Sequence, residues 1–314
     1  MSGVVMTNQY SLLQLGWKHF FQQQVSLDEW EITTPAKVVG VERSLFHLLT
    51  DRGDASIAIT PNMPPITIGD WLLLDEACHF VRLLDRVSLF SRKAPGTKVA
   101  QQLIAANVDT VFLVSSLNLD FNLNRLERYL ALSYEAGTTP VVVLTKLDCC
   151  DDVDSYLSQI QALSLSLEVV SVNSLDECSV DQLKMWCGNG ETVALLGSSG
   201  VGKSTITNTL LGKQTQRTQT IREDDNKGRH TTTSRSLHFL PSGGMILDTP
   251  GMRELQLADC KHGVDDTFPE INALANQCKF SDCRHETEPG CAVLKAIELG
   301  ELALFDDQGL VEVA

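Results

Sequence analysis

The run Gly197-Ser198-Ser199-Gly200-Val201-Gly202-Lys203-Ser204-Thr205 has residue types and spacing suited to holding phosphate. A glycine, four residues and then Gly-Lys-Ser let the backbone turn tightly and aim its N–H groups inward. A helix opening at this point adds partial positive charge. Lys203 would reach the β- and γ-phosphates of a nucleoside triphosphate, and the Ser204 hydroxyl would ligate Mg2+. Further along, Asp248-Thr249-Pro250-Gly251 follows the apolar run Met245–Leu247. Asp248 is a candidate to hold Mg2+ through water, and the Gly251 N–H to meet the γ-phosphate.

The base is addressed by Thr145-Lys146-Leu147-Asp148. The Asp148 carboxylate can accept from the N1–H and 2-amino groups of guanine, and adenine offers neither. The Lys146 stem can lie along the base plane. A buried site built for two donors rejects a base that lacks them. Thr145 stands where an Asn commonly supplies an amide, so this loop is expected to be held less firmly. Val170-Ser171-Val172-Asn173-Ser174 is similar to a companion base loop, with Ser171 as its candidate contact.

The order of these motifs is informative. In an ordinary GTPase the phosphate loop comes first and the guanine motif last. Here residues 145–148 and 171–174 precede 197–205, and 248–251 come last. The set is circularly permuted, which a fold with neighbouring termini tolerates. Each motif follows a strand-like run, and together they point to a GTP hydrolase. Between the phosphate loop and Asp248 lies a polar stretch containing Gly228-Arg229-His230-Thr231-Thr232-Thr233. One of its threonines, Thr232 among them, is a candidate Mg2+ ligand in a loop that orders with the γ-phosphate. Met252 follows Gly251, where Ras-like enzymes place a water-orienting Gln. A thioether cannot orient water, so His230 is the candidate catalytic group, or a partner assists.

Cys278, Cys283, His285 and Cys291 form C-x4-C-x-H-x5-C. Three thiolates and an imidazole suit a closed structural Zn2+ site that contributes folding energy.

Elements must hold these groups in place. Short apolar stretches between residues 37 and 83, punctuated by Gly and Pro, predict a small β-barrel. Leu12–Phe21 reads as a short amphipathic helix. Strand-like runs at Asp109–Val114, Val141–Leu144, Glu168–Val172, Thr192–Leu196 and Gly244–Leu247 alternate with helical patterns at Asn122–Glu135, Asp151–Leu163 and Gly202–Leu211. That alternation predicts an α/β layer with a largely parallel sheet. Helical patterns recur at Pro269–Asn276 and Ala292–Leu299.

The combination resembles the family of small-subunit-dependent ribosomal GTPases A (RsgA, also called YjeQ), over about Pro35 to Ala292. The carriers are the barrel, Gln102–Asp109, Asn122–Tyr129, the permuted motifs, Gly228–Thr233 and Cys278–Cys291. The resemblance implies an N-terminal OB-fold β-barrel, a central α/β P-loop GTPase domain and a mostly helical zinc domain. The corresponding spans are an extension over 1–34, then 35–95, 96–255 and 256–314. It implies binding of the 30S ribosomal subunit and its 16S rRNA, GTP hydrolysis stimulated by that particle, release afterwards, a monomeric state, and Mg2+ with GTP or GDP. Two departures are Thr145 and an N-terminal extension whose single basic residue is Lys18.

Composition sets limits on partners. The 314 residues carry a formal charge of −15, against a protein that holds nucleic acid through net positive charge. The charge is uneven: −9 over 99–200 and −9 over 248–314, but +1 over 35–98 and +4 over 201–247. Arg82, Arg86, Arg92, Lys93 and Lys98 in the barrel and linker, with the cations of the switch, are the expected rRNA-facing zones. No apolar run is long enough to span a membrane. Residues 1–24 lack the pattern of a signal peptide, so a cytoplasmic protein with reduced cysteines is expected.

Overall fold

The computed structural model describes residues 10–93, 101–118, 120–164, 166–212, 235–248, 274, 277–279, 283, 289–299, 304–306 and 309–311. Two short helices, α1 (His19–Gln22) and α2 (Leu27–Ile32), precede five strands: β1 (Thr34–Val41), β2 (Leu45–Thr50), β3 (Gly53–Ala58), β4 (Trp71–Leu74) and β5 (Phe80–Leu83). These five pair antiparallel in the order β3-β2-β1-β4-β5. A hairpin follows, β6 (Leu89–Lys93) with β7 (Gln101–Ala106).

The second part begins with β8 (Thr110–Ser116), α3 (Leu123–Glu135), β9 (Thr139–Thr145), α4 (Val153–Leu163), β10 (Glu168–Ser171) and α5 (Glu177–Val180). It continues with β11 (Thr192–Leu196), α6 (Lys203–Leu211), β12 (Arg235–Phe239) and β13 (Met245–Asp248). Strands β10-β9-β8-β11-β13 are parallel neighbours in that order. The antiparallel β12 lies beyond β13 and pairs on its other side with β1, Gly40 opposite Ser236. One continuous sheet therefore runs from the parallel layer into the antiparallel unit. Helix α7 (Ala292–Glu298) and a hairpin of β14 (Leu304–Asp306) with β15 (Gly309–Val311) complete the described chain.

The parallel strands are apolar along their length because both faces are covered. Alternate residues point to opposite faces. Leu113, Val142 and Leu144 pack with Leu126 and Leu130 of α3 and Ile160 of α4. Phe112, Val141 and Val143 pack with Ile206 and Leu210 of α6. Asn122 caps α3 by accepting from the Arg125 N–H at 2.8 Å, and Asp152 caps α4 from the Ser155 N–H at 3.1 Å. Every strand and helix expected between Asp109 and Leu211 is present to within a few residues.

Three differences have local causes. Leu12–Phe21 is not one helix: Gly16 adopts φ +86°, and the helix is confined to His19–Gln22. A Cβ at Gly16 would lie 2.6 Å from the Gly190 carbonyl, so this bend is what lets the N-terminal segment reach the sheet. The β6–β7 hairpin and β12 carry too little apolar alternation to be read from sequence. The basic zone of residues 35–98 is partly consumed inside the protein. Arg82 pairs with Glu29 at 2.7 Å, Arg86 pairs with the fully buried Asp70 at 2.7 Å, and Lys37 is 1% exposed. The helix expected over Pro269–Asn276 falls, apart from Leu274, outside the described residues.

Candidate nucleotide site

The site lies at the carboxyl ends of the parallel strands, where α/β sheets hold ligands. Strand β11 ends at Leu196 and the chain enters the phosphate loop. Gly197, Gly200 and Gly202 have φ of +149°, +81° and +100°. Gly197 is forced by crowding: a Cβ there would stand 2.3 Å from the Val114 carbonyl of β8. Gly200 faces open space. Val201, 1% exposed, anchors the loop in the core between them. Gly202 is the N-cap of α6, and no side chain caps that helix. Uncapped N–H groups at a helix start suit phosphate. The Lys203 ammonium donates to the Gly197 carbonyl at 2.6 Å and to the Ser198 carbonyl. Ser204 and Thr205 occupy the first turn of α6, and Ser199 is exposed on the loop. Tyr129 of α3 stands beside the loop: burial pushes its phenol above its ordinary pKa, and the nearby Ser198 side chain opposes that rise.

The base motif leaves β9 beside this loop. Thr145 is fully buried, and its hydroxyl donates to the Val201 carbonyl at 2.6 Å. The expectation of a weakly held loop is thereby corrected, because the shorter side chain ties the base motif directly to the phosphate loop. Lys146 adopts φ +61° and starts a single 3-10 turn over Leu147–Cys149. That turn presents Asp148 to solvent. The Cys149 thiol donates to Asp148 Oδ2 at 3.4 Å, which holds the thiol above its ordinary pKa.

Ser171, the candidate companion contact, remains within β10 opposite Leu144. The residue that reaches the phosphate loop is Ser174, whose Oγ would lie 3.1 Å from a Cβ at Gly202. Sequence reasoning quoted Ser174 but did not single it out, and it missed Tyr129. The only available signal was proximity to a motif. Strand β13 ends at Asp248, paired opposite Ser236. Gly251, His230 and Thr232 lie outside the described residues.

At the C-terminal site, the sulfur atoms of Cys278, Cys283 and Cys291 lie within 4.8 Å of one another, with Cys278 and Cys291 at 3.8 Å. Zn–S bonds of about 2.3 Å in a tetrahedron put sulfurs about 3.8 Å apart, so the donor set fits the ion. The Ala292 N–H donates to the Cys278 sulfur and the Leu294 N–H to the Cys291 sulfur, each at 3.4 Å. Burial opposes ionisation of Cys278, but the Ala292 and Val293 amides and the Cys291 and Cys283 thiols hold it below its ordinary pKa. His285 lies outside the described residues.

Residues 83–258 match the family described as RsgA GTPase. The chain is 59% identical over 291 residues to a Vibrio parahaemolyticus protein named small ribosomal subunit biogenesis GTPase RsgA 2, covering 93% of this chain and 81% of that one. This chain belongs to the RsgA GTPase family. A Mesorhizobium japonicum RsgA is 47% identical over 298 residues, covering 93% of this chain and 86% of its own. Among solved structures, YjeQ from Thermotoga maritima superposes with a TM-score of 0.61 at 25% identity, covering 87% of this chain and 94% of that one. YloQ, described as a circularly permuted GTPase, gives 0.58 at 23% identity, covering 86% and 90%. The order of base motif before phosphate loop in this RsgA-family chain is that of a permuted GTPase. Among the described residues no helix is long and apolar enough to cross a membrane.

Proposed function

We propose that this protein is a GTP hydrolase of small-ribosomal-subunit biogenesis that binds the 30S particle, hydrolyses GTP there and then leaves. The observation that carries the reading is the 2.6 Å bond from the Thr145 hydroxyl to the Val201 carbonyl. It brings a guanine motif onto a phosphate loop, in a chain 59% identical to a protein named for that process.

In this reading the N–H groups of 197–205 and the Lys203 ammonium bind the β- and γ-phosphates. Asp148 accepts from guanine, and Lys146 lies along the base. Ser204, Thr232 and Asp248 would hold Mg2+, which neutralises charge on the phosphates. His230 orients the attacking water. The five-stranded antiparallel unit acts as an OB-type barrel on 16S rRNA. Because Arg82, Arg86 and Lys37 are engaged internally, Arg92, Lys93 and Lys98 carry the electrostatic part of that contact. Cys278, Cys283, Cys291 and His285 would hold the structural Zn2+. The protein works as a cytoplasmic monomer over the four spans read from the sequence.

GTP turnover measured with purified 30S, 50S and 70S particles tests the reading. Stimulation by 30S alone supports it, and equal turnover with and without 30S refutes it. The variant His230→Ala should keep GTP affinity and lose stimulated turnover.

A further inference from the structure

We propose that a pocket between α4 and the loop after β8 receives an arginine side chain from a basic segment of a partner protein. The pocket is open to solvent, has a volume of about 390 Å3 and is lined by Asn118, Phe121, Asp152, Ser155, Tyr156 and Gln159. That volume is at the lower end of the range for sites that hold a ligand group. Helix α4 turns one side to the core: Ile160 is fully buried, and Val153 and Leu157 pack beside it. Asp152, Ser155, Tyr156 and Gln159, spaced i, i+3, i+4 and i+7, form the adjoining stripe. Phe121 faces that stripe, its ring edge-on to Tyr156 with centroids 4.8 Å apart.

The loop side of the pocket is fixed by its own bonds. Asn118 Oδ1 accepts from the Ser116 hydroxyl at 2.7 Å and from the Asp120 N–H at 3.0 Å. The helix side offers acceptors. Asp152 spends Oδ1 on the Ser155 N–H, and its other oxygen has no partner among the described residues. The Gln159 amide nitrogen donates to the Ser155 carbonyl at 3.3 Å, which leaves Gln159 Oε1 without a partner among those residues. The surroundings carry one sign: residues 147–164 contain Asp148, Asp151, Asp152 and Asp154 and no Lys, Arg or His. A nucleic-acid backbone is repelled here, unlike at the basic zones. Exposed carboxylates alone would be a solvated helix face. The concavity adds two aromatic rings beside open acceptors, and a guanidinium matches both. It is planar, carries five donors in a fixed fork and stacks on aromatic rings. An ammonium is a compact, strongly hydrated charge and matches only the carboxylate. None of the lining residues belongs to the motifs that address the nucleotide, so the inference goes beyond the nucleotide reading and does not depend on it.

The test uses the full-length protein and two fluorescein-labelled peptides of equal charge, hexa-arginine and hexalysine. Binding is read by fluorescence anisotropy at about 0.1 M salt. The arginine peptide should bind more tightly than the lysine peptide. Asp152→Asn keeps an oxygen to cap α4 and removes the charge. It should raise the Kd for the arginine peptide about fivefold, and Tyr156→Leu, which keeps apolar bulk and removes the ring, should do the same. Asp154→Asn removes the same charge from the opposite side of α4 and should change the Kd by less than about twofold. A Tm within about 2–4 °C of the parent shows each variant folded, and if Tyr156→Leu falls outside that range Asp152→Asn decides. Equal weakening by Asp152→Asn and Asp154→Asn would reduce the binding to net charge and overturns the pocket. Equal affinity for the two peptides, or no binding at about 1 mM peptide, overturns the arginine assignment. A short single-stranded RNA that bound more tightly than the arginine peptide, and was weakened by Tyr156→Leu, would make the pocket an RNA contact and overturns it too.

Discussion

The two ends of the parallel strands are built on opposite terms. At their carboxyl ends the loops leave polar groups little compensated: Asp148 is exposed and meets only the neighbouring Cys149 thiol among the described residues, α6 has no side-chain cap, and Ser174 Oγ is buried without a partner among those residues. At their amino ends Lys18, Asp109, Glu191 and Lys37 are held by internal partners. Lys18 bridges Asp109 at 2.7 Å and Glu191 at 3.1 Å, and Asp109 also accepts from the Thr192 N–H at 2.8 Å. The Lys37 ammonium donates to the Leu15 carbonyl at 2.9 Å and to Thr192 Oγ1 at 3.2 Å, joining β1, the N-terminal segment and β11. On the proposed reading one end is completed by a nucleotide, and the other is completed by the chain itself.

Glycines give the sharpest way to break this contrast. Gly69 has φ +89°, and a Cβ there would stand 2.0 Å from the Ala106 carbonyl. Gly200 has φ +81° and nothing within 4 Å. Gly69→Ala should cost about 4 kcal/mol or more, since backbone must move. Gly200→Ala should cost only the backbone term of about 1–2 kcal/mol and yet abolish GDP binding. Urea unfolding and GDP titration of both variants check this. Equal stability loss in the two would erase the distinction between the ends.

Arg86→Ala comes next. Its guanidinium donates to Asp70 at 2.7 and 2.8 Å and to the Pro65 carbonyl at 2.7 Å. Burial already raises the Asp70 carboxyl above its ordinary pKa, and Arg86 counteracts this. Removing the partner strands a buried carboxylate and should cost about 3 kcal/mol. Salt should barely alter that cost, because the pair is screened little. Weakened 30S binding with unchanged stability would instead return Arg86 to the rRNA-facing zone.

Lys37 should be visible as a pH effect. Burial pushes its ammonium down to about 8 from an ordinary value of 10.5, with Asp109, Lys18 and Glu191 as the charges facing it. Between these values the unfolded chain binds the extra proton, so stability rises with pH across that window, by up to about 3 kcal/mol. Lys37→Met should remove this rise. Lys18 titrates the other way: Asp109 and Glu191 hold it above its ordinary value against burial, and it is present in both proteins. The difference between variant and parent, measured by urea unfolding at pH 7 and pH 9.5, isolates Lys37. An identical pH slope in both would refute its buried, charged state.

The contrast also explains what was legible. Residues 197–205 and 145–148 act through local backbone and side-chain types, so their spacing in the chain carried the chemistry. The strands β8, β9 and β11 were legible because both of their faces are buried and the apolar runs are continuous. Lys37 was not, because nothing near it in sequence announces that Leu15 and Thr192 will enclose it. Arg82 and Arg86 looked like surface cations for the same reason. Their partners, Glu29 and Asp70, are 53 and 16 residues away. Ser174 was hidden differently: a serine next to a motif is ordinary, and only its burial without a partner sets it apart.

The smallest effect lies at the edge of the stapled end. The Arg82 guanidinium makes a fork to Glu29, at 2.7 and 3.1 Å, with both side chains about one-third exposed. Glu29 also closes a capping box on α2, its Oε2 accepting from the Ser26 N–H at 3.0 Å. Arg82 and the Ser26 amide together hold the Glu29 carboxyl down at about 2. The contribution is therefore complete above the ordinary carboxylate pKa and is lost as pH falls through about 2. Because the fork is largely solvated, Arg82→Ala should lower Tm by only about 2–4 °C, and less in high salt. Glu29→Ala removes the cap as well and should lower it further. In the double variant the Arg82 loss should shrink to what its bond to the Gln24 carbonyl contributes, since Glu29 is already gone. Full additivity of the two would mean that the cap, and not the fork, seats α2 on the antiparallel strands.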